Sequence, residues 1–385
     1  MFKSFKLRTP DWIHFGIGAV SQVSEEARRL GAGRVMVLTD PGVAKIGLLE
    51  KVLVPLKDSN IEYGVFDKVE PEPTMKNFFD ALDMAEEGKF DVFVAVGGGS
   101  SMDMTKLVSA MMTNEGEIQD YFGVDKVTKR GRPTIMITTT SGTGSEVTRL
   151  AVLTDTDANL KRVVSAQNIL ADVAIVDPEM TSTMPPAVTA STGIDAFIHA
   201  AESYIAVNAS PLTDNLALGA LSLIAQSLGP AFANGNDMSA RYNMSLGSLM
   251  AGINLNNAGV GAVHALAYPI GGEYHISHGS ALCVILGETM QASAIANLPK
   301  YRKMAEVLGV NVDGLSPVQA ADAAVDAMVE VAKMVKMPTT LSDIKADNSK
   351  VKEWAEGAFS EKRLLGNTPR VLSKDDISEI FEKSF

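Results

Sequence analysis

The sequence predicts two domains: an α/β unit on a Rossmann-like parallel sheet over residues 1–184, then an all-α unit over residues 185–385. Three observations carry this prediction. Short β-branched runs alternate with segments of helical spacing through the first half, as βαβ units require. The texture changes at Met184-Pro185-Pro186, a natural boundary. Beyond it β-branched runs become rare, and alanine, leucine and methionine recur at helical spacing.

In chain order, strands are expected at 34–39, 61–66, 91–96, 134–138, 150–154 and 173–176, with helical segments at 48–57, 75–87 and 102–112 between the earlier ones. After the boundary, helices are expected at 187–206, 215–228, 238–255, 288–296, 300–308, 317–335 and 349–358. A chain of 385 residues with 46% apolar residues can fill two cores, and its 19 methionines read as core filler. The net charge of −12 argues against nucleic acid or an anionic membrane as partner. Cys283 is the only cysteine, so no intramolecular disulfide forms, which fits a reducing compartment. No apolar h-region follows Met1 to Pro10, and no run of about 18 apolar residues suggests a membrane span. The expectation is a soluble, cytoplasmic protein.

The run Val92-Phe93-Val94-Ala95-Val96 enters Gly97-Gly98-Gly99-Ser100-Ser101, and helical spacing follows. A buried strand, a glycine turn and a helix start make an anion site, because glycine lets the backbone approach a diphosphate and the free helix N–H groups point at it. A tight turn with a serine cap is the bland alternative. The Gly-x-Gly-x-x-Gly fingerprint is absent. A second turn carries Thr139, Thr140, Ser141, Thr143 and Ser145, whose hydroxyls suit phosphate, ribose or carboxamide, or else cap their own loop. Two such loops in one α/β half favour a dinucleotide. Asp40 ends the first clear strand; a carboxylate there accepts from both hydroxyls of an adenosine ribose and repels a 2′-phosphate, favouring NAD over NADP. It also suits a helix N-cap before Pro41-Gly42.

Four of the five histidines lie within 80 residues, and three of these form a plausible ligand set with one carboxylate. Asp195 and His199 are four apart, on one face of a helix; His264 and His278 follow from separate stretches. One carboxylate with three imidazoles suits a borderline divalent cation such as Fe²⁺ or Zn²⁺, and leaves a position for substrate. Taken singly, each histidine also reads as a satisfied core residue and Asp195 as a cap.

Together these segments resemble the iron-containing (group III) alcohol dehydrogenase family over nearly the whole chain. Gly97 to Lys106 looks like its phosphate loop, with Thr105 where alanine is usual, and Thr139 to Glu146 like its second nucleotide loop. Pro186 to Ala200 and Gly261 to Gly279 are similar to its two metal signatures, and Asn367-Thr368-Pro369-Arg370 also fits. The resemblance implies an iron alcohol dehydrogenase (dehydroquinate synthase-like) fold, with a cleft between the domains. It implies Asp195, His199, His264 and His278 as metal ligands, and cofactor contacts from Gly97, Gly98, Gly99, Ser100 and Asp103. The implied reaction is reversible hydride transfer between a small alcohol or aldehyde and NAD(H), in a homodimer or higher homo-oligomer. Two departures stand out: Tyr268 occupies a position that is often histidine, and Ser277 one that is often proline. Tyr268 and His275 are the candidate proton-handling residues. Rival readings are a Zn-dependent glycerol or polyol dehydrogenase, a dehydroquinate-synthase-like lyase, which would need basic residues that are scarce near the ligands, and a non-catalytic nucleotide sensor.

Overall fold

The computed structural model describes residues 4–156 and 160–385. The chain divides into two compact units between Met184 and Pro185, and residues 4–7 group with the second unit rather than with the span that follows them.

The first unit is built on a six-stranded, all-parallel sheet in the order β1-β9-β6-β4-β2-β3. Its strands are β1 (Trp12–Phe15), β2 (Arg34–Thr39), β3 (Glu62–Phe66), β4 (Val92–Gly97), β6 (Thr134–Thr138) and β9 (Val173–Val176). The central strands are apolar on both faces because helices cover both. Val35, Val37, Val92, Val94 and Val96 pack with the helix Glu50–Asp58 on one face. Met36, Leu38 and Phe93 pack with Met75–Gly88 and Gly99–Met111 on the other. The crossovers leaving β2 and β4 therefore take opposite faces. Between these two neighbours lies the topological switch point, where open α/β sheets bind ligands at the carboxyl ends of their strands. Thr39 is paired with Val96 there, so Asp40 and Gly97 emerge side by side.

The predicted strand at 150–154 exists as β7 (Leu150–Asp155) but leaves the main sheet. It pairs antiparallel with β8 (Leu160–Ser165), and β5 (Gly123–Val124) completes a small second sheet. Sequence reading found neither β1 nor β8. Both carry exposed positions and lack the continuous apolar run of a central strand.

The second unit is built of helices and the loops between them, with no strand among its described residues. The helix Pro211–Ala233 has the length and hydropathy of a bilayer span. It instead sends Ala217, Ala220, Leu221, Ile224 and Leu228 into the same core as Ile194 and Phe197 of Pro186–Ile205. Four helices depart from expectation. Ala262–Tyr274 went unseen, with Pro269, Gly271 and Gly272 breaking its pattern, as did Lys362–Leu365 and Lys374–Lys383, and the helix expected at 288–296 begins at His278 and ends at Ala294.

Candidate functional site

In the first unit the two glycine- and hydroxyl-rich turns lie against each other at the switch point. Thr139 N–H donates to Gly97 O at 3.0 Å. A Cβ at Gly98 would stand 3.3 Å from Thr140 Cγ2, and one at Gly99 3.0 Å from Thr143 Cγ2. At Gly97 it would meet Ser101 Oγ at 2.4 Å. These glycines are required by close approach. Gly98 caps the helix Gly99–Met111 with no side-chain bond, so the first-turn N–H groups have no side-chain acceptor. Gly98, Gly99, Ser100, Thr140, Thr143 and Asp40 are half-buried and line this rim, whereas Gly97, Thr139 and Ser141 are buried beneath it.

Asp40 does cap the following helix: its Oδ1 accepts from Gly42 N–H at 2.9 Å and Val43 N–H at 3.0 Å. Its Oδ2 lies on the Gly97 side, 3.4 Å from where a Cβ on that glycine would be. Capping occupies one oxygen and leaves the other toward the loop.

Asp103 and Ser145, both expected to touch cofactor, are bonded to each other. Ser145 Oγ donates to Asp103 Oδ1 at 2.6 Å, and Val152 N–H donates to Asp103 Oδ2 at 3.0 Å. Lys106, which sequence reading passed over, is fully buried and donates to Ser145 Oγ at 2.6 Å and Leu150 O at 2.7 Å. Its spacing of three from Asp103 on one helix was the available signal. This cluster fixes the second loop from below. Burial raises the Asp103 carboxyl and lowers the Lys106 amine. Burial also lifts Glu146 to about 7, only partly opposed by its own backbone N–H and by Lys106. Ser100 Oγ donates a short hydrogen bond to Pro71 O, which ties down the start of the glycine turn.

In the second unit the predicted quartet comes together. Asp195 and His199 lie on one face of Pro186–Ile205, and this helix is buried from Gly193 onward. Gly193 lets that helix cross its neighbours, since a Cβ would meet Leu228 Cδ1 at 2.4 Å. His264 sits in the first turn of Ala262–Tyr274. His278 opens the next helix, which Ser277 caps through Ser280 N–H at 3.2 Å. A Cβ on Gly279 would lie 2.3 Å from Ser191 O, so glycine alone lets this turn rest on the Asp195 helix.

The Nε2 atoms of His199, His264 and His278 stand 3.3, 3.7 and 3.6 Å from Asp195 Oδ1. Ligands about 2.0–2.1 Å from a tetrahedral ion are about 3.4 Å apart, so these spacings match a first-row divalent cation. Asp195 Oδ1 and His264 Nε2 are buried without a hydrogen-bond partner, an arrangement a cation resolves. The His199 and His264 rings stack at 4.9 Å. Burial opposes ionisation of Asp195, but His199, His264 and His278 outweigh it and hold the carboxyl well below the usual range.

Glu202 was also missed, although it follows His199 by three and so shares the face of Asp195 and His199. It is 3% exposed; its Oε2 lies 2.5 Å from His264 Nδ1 and its Oε1 accepts from Val263 N–H at 2.7 Å.

Tyr268 lies one turn beyond His264 and is 43% exposed. The protein packed around it raises its phenol to about 12, Glu361, Glu202 and Asp195 adding and Arg363 opposing, so it stays protonated near neutrality. His275 ends the helix Ala262–Tyr274, exposed and left-handed at φ 51°.

Comparison with known proteins gives one answer along the chain. The model described as "Iron-containing alcohol dehydrogenase" matches residues 10–178, and "Fe-containing alcohol dehydrogenase family, C-terminal" matches residues 189–385. Long-chain-alcohol dehydrogenase 1 of Geobacillus thermodenitrificans is 42% identical, covering 98% of this chain and 95% of its own. NAD-dependent methanol dehydrogenase of Bacillus methanolicus is 36% identical over 96% of this chain and 97% of its own. A crystal structure of 1,3-propanediol oxidoreductase superposes with a TM-score of 0.96 at 37% identity, covering 100% of both chains.

Proposed function

This chain belongs to the iron-containing alcohol dehydrogenase family, and on that premise we propose that it catalyses reversible hydride transfer between a small alcohol, or its aldehyde, and NAD(H). Asp195, His199, His264 and His278 hold the cation in this reading, Fe²⁺ by family and Zn²⁺ as the alternative. The observation that carries it is the convergence of three imidazole nitrogens within 3.3–3.7 Å of one buried carboxylate oxygen.

The cation, when bound, supplies Lewis-acid stabilisation of negative charge on the substrate oxygen, and the nicotinamide supplies the hydride acceptor. The residues do the rest. Asp195 contributes the one anionic ligand, and three neutral imidazoles leave the site a net positive charge for that oxygen. Gly98, Gly99 and the first turn of Gly99–Met111 offer backbone N–H groups to a diphosphate. Thr140 and Thr143 provide hydroxyls beside it. Asp103 and Lys106 hold those hydroxyls in place through Ser145 and do not themselves reach the cofactor.

The test is NADH formation, followed by near-UV absorbance, with metal-reconstituted protein across linear alcohols, diols and glycerol, before and after chelation. Turnover should vanish on chelation and return with Fe²⁺ or Zn²⁺. Full activity in metal-free protein would contradict the proposal, and preference for glycerol with Zn²⁺ would select the polyol reading.

The cofactor preference assigned to Asp40 is tested with Asp40→Asn, which keeps the capping oxygen and removes the charge. Its kcat/KM ratio for NADP over NAD should rise at least about tenfold, the loss of about 1.4 kcal/mol of discrimination. Asp40→Gly should do the same but also lose the side-chain cap, at about 0.3 kcal/mol of stability because glycine is itself tolerated at an N-cap. An unchanged ratio in both variants removes Asp40 from cofactor choice.

A further inference from the structure

We infer that Glu202 is a positioning residue for the cation site: its carboxylate holds His264 in the tautomer and orientation that turn Nε2 toward the metal. This rests on the metal reading above and extends it to a residue that does not touch the ion.

The geometry leaves few alternatives. Two N–H donors adjacent in the chain, Val263 backbone N–H and His264 Nδ1–H, meet the two oxygens of one buried carboxylate at 2.7 and 2.5 Å. A carboxylate accepts at both atoms, whereas an amide accepts at one and donates at the other. With the proton fixed on Nδ1, the Nε2 lone pair is free and faces Asp195 Oδ1 at 3.7 Å. Glu202 also stands in for a missing cap. Gly261 precedes the helix Ala262–Tyr274 with no side chain to bond its first turn, and Glu202 does this from the neighbouring helix. A Cβ on Gly261 would lie 3.4 Å from Glu202 Oε1 and 2.8 Å from Thr368 Oγ1, so the glycine keeps room for the carboxylate. The helix that carries Asp195 and His199 thus also aims the third ligand.

Glu202→Gln is the decisive variant, because it keeps size and shape but can serve only one of the two donors. The probe is Zn²⁺ alone, titrated against a chromophoric chelator, with thermal melting of the metal-free proteins in parallel. Zn²⁺ affinity should fall about 10–100-fold while the metal-free protein still melts cooperatively. The ¹⁵N resonances of His264 in the Zn²⁺-loaded wild type should report a protonated Nδ1, and in E202Q this signature should be lost or exchanging. Glu202→Asp, which retains two acceptors at shorter reach, should fall between wild type and E202Q, and it carries the comparison if E202Q does not fold. Affinity within twofold of wild type in E202Q, or E202D weaker than E202Q, overturns the role. A wild type that binds no Zn²⁺ would overturn the metal reading itself, which is a different result from a tight wild type matched by E202Q.

Discussion

His264→Ala should leave a protein that binds NADH as before and turns over at least about 1000-fold more slowly. The figure follows from losing about 4 kcal/mol of Lewis-acid stabilisation in the transition state. The variant removes one of three nitrogens that face Asp195 Oδ1. Three remaining ligands, one on a half-exposed side chain, do not retain an ion through dialysis against a chelator. Cofactor binding should survive, because Gly98, Gly99, Thr140 and Thr143 belong to residues 8–184, which have their own cores. Metal content by atomic emission, NADH binding by fluorescence and the steady-state rate separate these effects. Removing His264 also strips Glu202 of its partner, so part of any loss could reflect a disturbed fold. His199→Ala controls for this: it deletes a ligand and leaves the Glu202–His264 bond in place. Both variants should be metal-poor and inactive. An active, metal-free His199→Ala would refute the assignment of the quartet.

The parts of this site that sequence made legible share a property. His199, His264 and His278 belong to a residue type that is rare in this chain, Asp195 stands one helical turn before the first of them, and Gly97-Gly98-Gly99 ends a continuous apolar run. Residue type and local spacing announced them. What stayed hidden were groups whose role depends on a partner distant in the chain. Glu202 meets His264 across 62 residues, and Lys106 meets Ser145 across 39. As single letters, a glutamate and a lysine on helices are most often solvated, and nothing local said that these two were buried. The two halves of the fold differ in the same way. The β-branched runs of the parallel sheet stood out because both faces of the central strands are covered. The helix His278–Ala294 was half lost, because Ala281 to Leu286 is buried all round and so shows no periodicity. Asp103 and Ser145 show the converse case: a motif placed them at the cofactor, and the structure bonds them to each other, with Asp103 also accepting from Val152 N–H.

Lys106→Met tests that last point through stability. Lys106 Nζ is enclosed, bonded to Ser145 Oγ and Leu150 O and 3.6 Å from Asp103 Oδ1. Methionine fills similar volume but leaves Asp103 without its counter-charge and Leu150 O without a donor. Breaking a buried pair from one side costs about 3–5 kcal/mol, or roughly 10 °C in melting temperature for a unit of this size. The deficit should depend on pH in a definite direction. Burial already lifts Glu146 in the folded state to about 7, above the ordinary glutamate range, and Asp103 is raised as well. A carboxyl with a raised folded pKa contributes stability that is complete below its unfolded pKa and is lost as pH rises through the folded one. Lys106 lowers both carboxyls, so its removal moves both further up. The melting deficit of Lys106→Met should therefore be small near pH 5 and grow toward pH 8. A deficit that is flat with pH, or that grows toward acid, would mean that Lys106 acts through packing rather than charge. NADH affinity should fall in step with the deficit at each pH, because the second nucleotide loop rests on this cluster through Ser145.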